Sequence, residues 1–206
     1  MEGVSYLRQE VRAVKEMLVD ELSLMGRLVE DLTTLAWADG RAWLRIESLP
    51  LDSFMTSMSL KAETILGDRV RVDPGIRGAE LGGAELGGVA LQGAALRADP
   101  QRLTQALVNL LQNAADHAKG DETVRFGVRA EPSSWLFEVA DDGGGVPPGD
   151  EQAVFEPFST GSSRGVKGGM GLGLSIVRGI AQAHGGQCGV VNRPGQGATF
   201  WIRLPR

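Results

Sequence analysis

The chain has 206 residues, 42% hydrophobic and 23% charged, which excludes a disordered polymer and fits one good core with some chain to spare. A net charge of −5 without a basic stripe excludes duplex nucleic acid as the main partner. A single cysteine excludes an internal disulfide, and no run reaches the roughly 18 apolar residues of a membrane span, so a cytoplasmic location is expected, with any membrane contact made by parts outside this chain.

Residues 4 to 36 read as one long helix. Val4, Val11, Leu18, Met25 and Leu32 recur in sevens, with Leu7, Val14, Glu21, Leu28 and Leu35 as the companion set. A 3-4 spacing held this long marks a bundle or coiled coil. Such a helix spans on the order of 50 Å. That is too long to bury its stripe on one small domain, so a second copy, another helix, or both are expected against it. The alternative is an ordinary amphipathic core helix, although these usually run about 8–20 residues. Gly40 provides the stop.

Trp43 to Ile46 reads as a short strand. Asp52 or Ser53 is placed to cap a helix running to about Leu66, and Val70 to Val72 reads as another strand. Residues 79 to 98 read AELGG AELGG VALQG AALRA, with Leu81, Leu86, Leu91 and Leu96 five apart. Two readings stand: one coil of a pentapeptide-type β-helix, or a duplicated, glycine-loosened insertion at about 75–96 with Leu91 to Ala98 returning as a strand.

Asp99 and Pro100 suit the cap and first position of the next helix. In it Leu103, Leu107, Leu110, Leu111 and Ala114 share one face, and Asn109, Asn113 and Asp116 share another. Val124 to Ala130 and Trp135 to Ala140 form a predicted hairpin turned at Glu131 to Ser134. Leu172 to His184 is helical and stops at Gly185-Gly186. Gln187 to Asn192 and Thr199 to Leu204 close the chain around the turn 193–197. Helix, hairpin, helix, hairpin predicts an α/β fold: one mixed sheet with helices on one face.

Between the hairpin and the last helix lie two glycine clusters. Asp141 leads into Gly143 and Gly145, and GGMGLGL holds Gly168, Gly169, Gly171 and Gly173. Glycine lets backbone N–H groups approach a phosphate chain, and a helix beginning at the second cluster offers its free N–H groups to the same anion. A carboxylate at a strand end, Asp141, can accept from the exocyclic amine of a base; a turn-forming aspartate is the plainer alternative. The amide oxygen of Asn113 suits Mg²⁺, although an asparagine lining a helix surface explains it equally simply. Ser159 to Lys167 reads as a lid from which Arg164 and Lys167 can reach phosphate. The pattern GxxxxGK[ST] is absent, and the two histidines lack zinc spacing.

These blocks together resemble the catalytic ATP-binding domain of sensor histidine kinases. NLLQNAADH (Asn109 to His117) resembles the asparagine box, DDGGGV (Asp141 to Val146) the first glycine box and FEPF (Phe155 to Phe158) the phenylalanine box. GGMGLGLSIV (Gly168 to Val177) resembles the second glycine box, and GQGATFWIRLP the closing strand. MGRLVEDLTTLAWADG (Met25 to Gly40) resembles the end of the second dimerisation helix. The resemblance implies a two-layer α/β sandwich over residues 40–206, preceded by part of a dimerisation domain over 1–39. It implies ATP and Mg²⁺ as ligands, a homodimer, and a response regulator receiver domain as partner. It also implies roles: Asn113 on Mg²⁺, Asn109 at the phosphates, Asp141 on adenine and His117 as a ring beside the nucleotide. Gly143, Gly145, Gly169, Gly171 and Gly173, with Leu172 between the last two, would shape the phosphate side and lid hinges, with Thr199 near adenine.

Two departures stand out. Asp116 occupies a place where the family often has lysine. No histidine stands in the His-Glu context of the phosphoacceptor, so the receiving histidine is expected outside this chain. A non-catalytic, ATP-gated dimerisation module is therefore the second reading. A gyrase-type ATPase is disfavoured, because Asn109 stands where that class places a glutamate base.

Overall fold

The computed structural model describes residues 43–72, 91, 93–117, 122–159 and 171–206, and, nearer the N-terminus, residues 12, 14, 15, 17, 18, 21, 22, 25, 26 and 33. The repeat at 79–90 and the lid residues Arg164, Lys167 and Gly169 lie outside the described residues. The described residues from Arg12 to Thr33 are helical. Val14, Met17, Leu18, Leu22 and Met25 expose half or more of their surface. Among the described residues no helix is long and apolar enough to cross a membrane.

In chain order the elements are β1 (Glu47–Pro50), α1 (Leu51–Leu66), β2 (Val70–Val72), β3 (Ala95–Ala98), α2 (Pro100–His117), β4 (Val124–Ala130) and β5 (Ser134–Asp141), then α3 (Gly173–Ala183), β6 (Gln187–Arg193) and β7 (Gly197–Pro205). The main sheet has five strands in the order β2-β4-β5-β7-β6. Its β2–β4 pair is parallel and the others are antiparallel, so the sheet is mixed, as the chain order predicts. β1 and β3 form a separate antiparallel pair. The first strand lies later than expected: Trp43 to Ile46 is not a strand, and pairing starts at Glu47 opposite Ala98. The returning strand is shorter than Leu91 to Ala98, because Gly93 sits at φ +78° in a turn. α1 starts at Leu51, one residue before the first expected cap, with Pro50 at the N-cap position and no side chain capping it.

Alternation along the strands builds the core. Val124, Phe126 and Val128 of β4, Phe137 and Val139 of β5, and Phe200, Ile202 and Leu204 of β7 turn to one face. There they meet Met58 of α1, Leu103, Leu107, Leu110 and Leu111 of α2, and Ile176 and Ile180 of α3, all buried in one cluster. Each such side chain contributes about 1.5–3 kcal/mol by leaving water. Cys188 of β6 packs against this core, and burial pushes its thiol up to about 11. The opposite face carries polar and aromatic cover. Arg129 Nε donates to buried Glu138 at 3.1 Å, and Arg203 Nε to Glu131 at 2.7 Å. The Arg203 guanidinium lies 4.9 Å from the Trp201 ring. β5 is buried along its whole length, as befits a central strand covered on both faces.

Asp99 ties the two-stranded sheet to α2 and α3. Its carboxylate accepts from the Arg102 N–H at 3.0 Å, capping α2 as expected, and from the Arg45 N–H at 2.8 Å. Its own N–H donates to Nε2 of His184 at 3.0 Å, while His184 Nδ1 lies 2.8 Å from the Ile180 carbonyl. Nε2 can accept only if that nitrogen is unprotonated, so the ring is neutral and Nδ1–H donates to Ile180.

Candidate functional site

One end of the sheet carries a cross-strand row. Val124, Asp141, Ala198 and Asn192 lie opposite one another on β4, β5, β7 and β6, all turned to the helix side. Asp141 is therefore a carboxylate at a strand end, on the face that α2 and α3 cover. It is 5% exposed. Its Oδ1 accepts the Gly143 N–H at 3.0 Å, which closes an Asx turn. Burial pushes its carboxyl above the ordinary range, and the Gly143 and Ala198 amides and the His117 charge oppose this.

Glycine surrounds this carboxylate for steric reasons. A Cβ on Gly143 would lie 2.9 Å from Asp141 Oδ1 and 3.2 Å from the His117 carbonyl. Gly197, at φ +98°, has no room for a Cβ against the Asp141 carbonyl. Gly145, at φ +72°, would place one 2.8 Å from Asn192 Oδ1. The turn can take this shape only with glycine at these points.

α2 supplies the second wall. Asn109 and Asn113 are half-buried, and Asp116 and His117 are exposed. Asn109 Nδ2 donates to the Gly173 carbonyl at 3.3 Å, which brings the asparagine face of α2 to the first turn of α3. The Asn113 carbonyl lies 2.8 Å from His117 Nδ1; its side-chain amide has no hydrogen-bond partner among the described residues and is free for a ligand. No side chain caps the start of α3, which leaves N–H groups and the positive dipole end beside Asn109.

The flanks of the expected lid meet each other. Gly171, at φ +71°, would place a Cβ 2.9 Å from the Phe158 and Ser159 backbones. Arg178 of α3 pairs with Glu156 at 2.9 Å. Phe155, the first residue of the phenylalanine box, is a core residue, edge-on to Phe200 at 6.2 Å between ring centroids. Leu172 is likewise buried in the core. Thr199 does not join the group: Ala198 is the residue opposite Asp141, and Thr199 turns to the other face.

Three features of the site were not legible in the sequence. Arg125 holds Asp142 through two hydrogen bonds of 2.8 and 3.1 Å, fixing the residue after Asp141. Glu151 accepts from the Gly149 N–H at 3.0 Å. Asn192 bonds both peptide groups of Val146. The one available signal was an asparagine in a strand pattern, where its propensity is low.

Comparison with known proteins follows this geometry. The family model described as histidine kinase-, DNA gyrase B-, and HSP90-like ATPase matches residues 98–206. Sensor protein KdpD of Escherichia coli (strain K12) is 38% identical over 102 residues, 50% of this chain and 11% of that protein. Sensor protein IrlS of Burkholderia pseudomallei (strain K96243) is 31% identical over 201 residues, 95% of this chain and 40% of that protein. Among solved structures, full-length ShkA in complex with AMPPNP superposes with a TM-score of 0.71 at 26% identity, covering 96% of this chain and 38% of that one. Acinetobacter baumannii histidine kinase AdeS shares the fold, with a TM-score of 0.67 at 21% identity over 92% of this chain and 82% of that one. The chain spans less than half the length of the curated relatives it matches, from 11% to 47%. With a match that covers more than half of its residues, from β3 to the C-terminal strand, the chain belongs to the histidine kinase-, DNA gyrase B- and HSP90-like ATPase family.

Proposed function

We propose that this chain is the ATP-binding catalytic region of a two-component sensor histidine kinase. The observation that carries the reading is the buried Asp141 carboxylate, set at a strand end opposite the asparagine face of α2. The match to a protein crystallised with AMPPNP supports it.

Asp141 accepts a hydrogen bond from the exocyclic amine of adenine, in a pocket whose close-set glycines leave room for a flat base. Asn109 and the uncapped start of α3 face the phosphates. Asn113, with its unused amide oxygen, is the protein ligand to Mg²⁺. Among the described residues no three His, Cys, Asp or Glu side chains cluster around a metal site. This donor set fits an ion that oxygen atoms of the nucleotide and one amide would share. When bound, Mg²⁺ supplies charge neutralisation at the phosphates. Arg164 and Lys167, together with the lid glycine Gly169, complete the phosphate side. His117 lies beside the base.

The γ-phosphoryl passes to an imidazole nitrogen on a dimerisation helix outside this chain. The P–O bond to ADP breaks as a P–N bond forms, and positioning supplies most of the catalysis. The phosphoryl then moves to an aspartate of a response regulator receiver domain. Residues 1–39 form the second dimerisation helix, and two copies pair through its exposed apolar stripe.

Calorimetry with AMPPNP and Mg²⁺ tests the pocket. Wild type binds and Asp141→Asn does not; equal binding by the variant overturns the assignment. Mixing the chain with a dimerisation domain that carries the histidine and with radiolabelled ATP tests transfer. An acid-labile label supports the kinase. Binding without any label favours the ATP-gated dimerisation module, a reading prompted by exposed Asp116 three residues after Asn113.

A further inference from the structure

Asn192 lies at the far end of the row that contains Asp141. It is two strands away, on the edge strand β6, and on the same face. Its amide is almost fully used. Oδ1 accepts the Val146 N–H at 2.8 Å, and Nδ2 donates to the Val146 carbonyl at 2.7 Å and to Glu151 Oε1 at 3.1 Å. The other Glu151 oxygen accepts the Gly149 N–H at 3.0 Å. Only one orientation of the amide satisfies this set, because the N–H of Val146 needs an acceptor and its carbonyl needs a donor.

These bonds do for residue 146 what a strand neighbour would do. Both peptide groups of a 7% exposed valine are paired by a side chain from β6. The carbonyl of Gly144 is held from the same side by the Gly195 N–H at 2.9 Å. The chain leaving Asp141 is thus fastened at Gly144 to the β6–β7 turn and at Val146 to the end of β6 before it runs on towards Phe155.

We infer that Asn192 is a positioning residue for the nucleotide: its amide fixes the Gly143–Gly145 turn and the segment 146–151 relative to Asp141. This rests on the ATP-binding reading of the site. The residue does not touch the base itself; it acts through Val146 and through the glycine whose missing side chain makes room for its oxygen.

The isosteric Asn192→Asp variant is the test. It keeps Oδ1 and the shape, loses the donor, and sets a second oxygen against the Val146 carbonyl and Glu151. AMPPNP with Mg²⁺ should bind about tenfold more weakly, as expected for loss of a buried polar contact. Adding Glu151→Gln restores a donor on that side and should recover about threefold. Hydrogen exchange should rise in residues 143–151 and stay unchanged in β5 and β7, a pattern that general destabilisation would not give. Binding by Asn192→Asp within about twofold of wild type overturns the inference. So does an exchange increase spread over the whole sheet. A wild-type chain that binds no adenine nucleotide overturns the pocket reading and this inference together; wild-type binding matched by the variant overturns this inference alone.

Discussion

Asp141 is held against its own electrostatic preference. Burial raises its carboxyl above the unfolded value, and two amides and His117 offset only part of this. An acid with a raised folded pKa binds its proton more tightly in the native state, so stability falls as pH rises through the interval between the unfolded and folded values. Above that interval the penalty is fully present. Asp141→Asn keeps the acceptor for Gly143 and removes the charge. It should raise the melting temperature of the nucleotide-free chain by about 2–4 °C, equivalent to roughly 1 kcal/mol, while abolishing nucleotide binding. Scanning calorimetry without and with AMPPNP checks both halves. His184 has the opposite sign. Burial lowers its pKa, with the Ile180 carbonyl and the Asp99 charge opposing. The unfolded chain therefore takes up the proton first. The contribution of the neutral ring is intact above about 6.5 and declines as pH falls below it. Melting temperatures measured from pH 8 to 5 should drop less steeply in His184→Gln than in wild type.

At the scale of elements, the site depends on how β5, β7 and the glycine turns meet. Gly197 combines φ +98° with contact against the Asp141 carbonyl, so Gly197→Ala must both strain the backbone and separate β5 from β7. A loss of about 3 kcal/mol or more in chemical denaturation is expected, above the usual range for a surface substitution. Gly171→Ala, at φ +71° with a Cβ 2.9 Å from the Phe158 and Ser159 backbones, strains a segment outside the sheet; it should weaken nucleotide binding and cost less in the same denaturation than Gly197→Ala. The helices and the central strands were legible because periodicity and local punctuation define them: Pro100 starts α2, Gly185 ends α3, and Val124, Phe126 and Val128 alternate. β1 was misplaced because its position depends on Leu96 and Ala98, more than forty residues away across the repeat. The placement of Asp141 at a strand end and of Asn109 on the α2 face turned to α3 was legible because neighbouring glycines and helix spacing mark both. Asn192 was not, because its partner Val146 is distant in sequence and only the fold brings them together. Thr199 was misread because pairing parity, which no local pattern reveals, turns Ala198 rather than Thr199 to the Asp141 side.

At the scale of the whole molecule, an ATP-site sandwich follows a helix whose described apolar residues face outward. Val14, Leu18, Leu22 and Met25 fall at spacings of four and three, the geometry of a helix–helix seam. On the proposed pairing through this stripe, wild type should sediment as a dimer and the Leu18→Asp, Leu22→Asp double variant as a monomer, with AMPPNP affinity unchanged, since neither residue belongs to the site. A dimer that survives both substitutions would assign self-association to another surface. Cys188 has a use in such measurements. With its thiol pushed up to about 11, only about one molecule in 10⁴ carries the reactive thiolate at pH 7. It is also the only cysteine in the chain. The protein therefore comes with a nearly silent chemical background. A cysteine introduced at Ser162 would react alone with a fluorophore or spin label, and its signal would report directly on the segment between Ser159 and Gly171 as nucleotide is added.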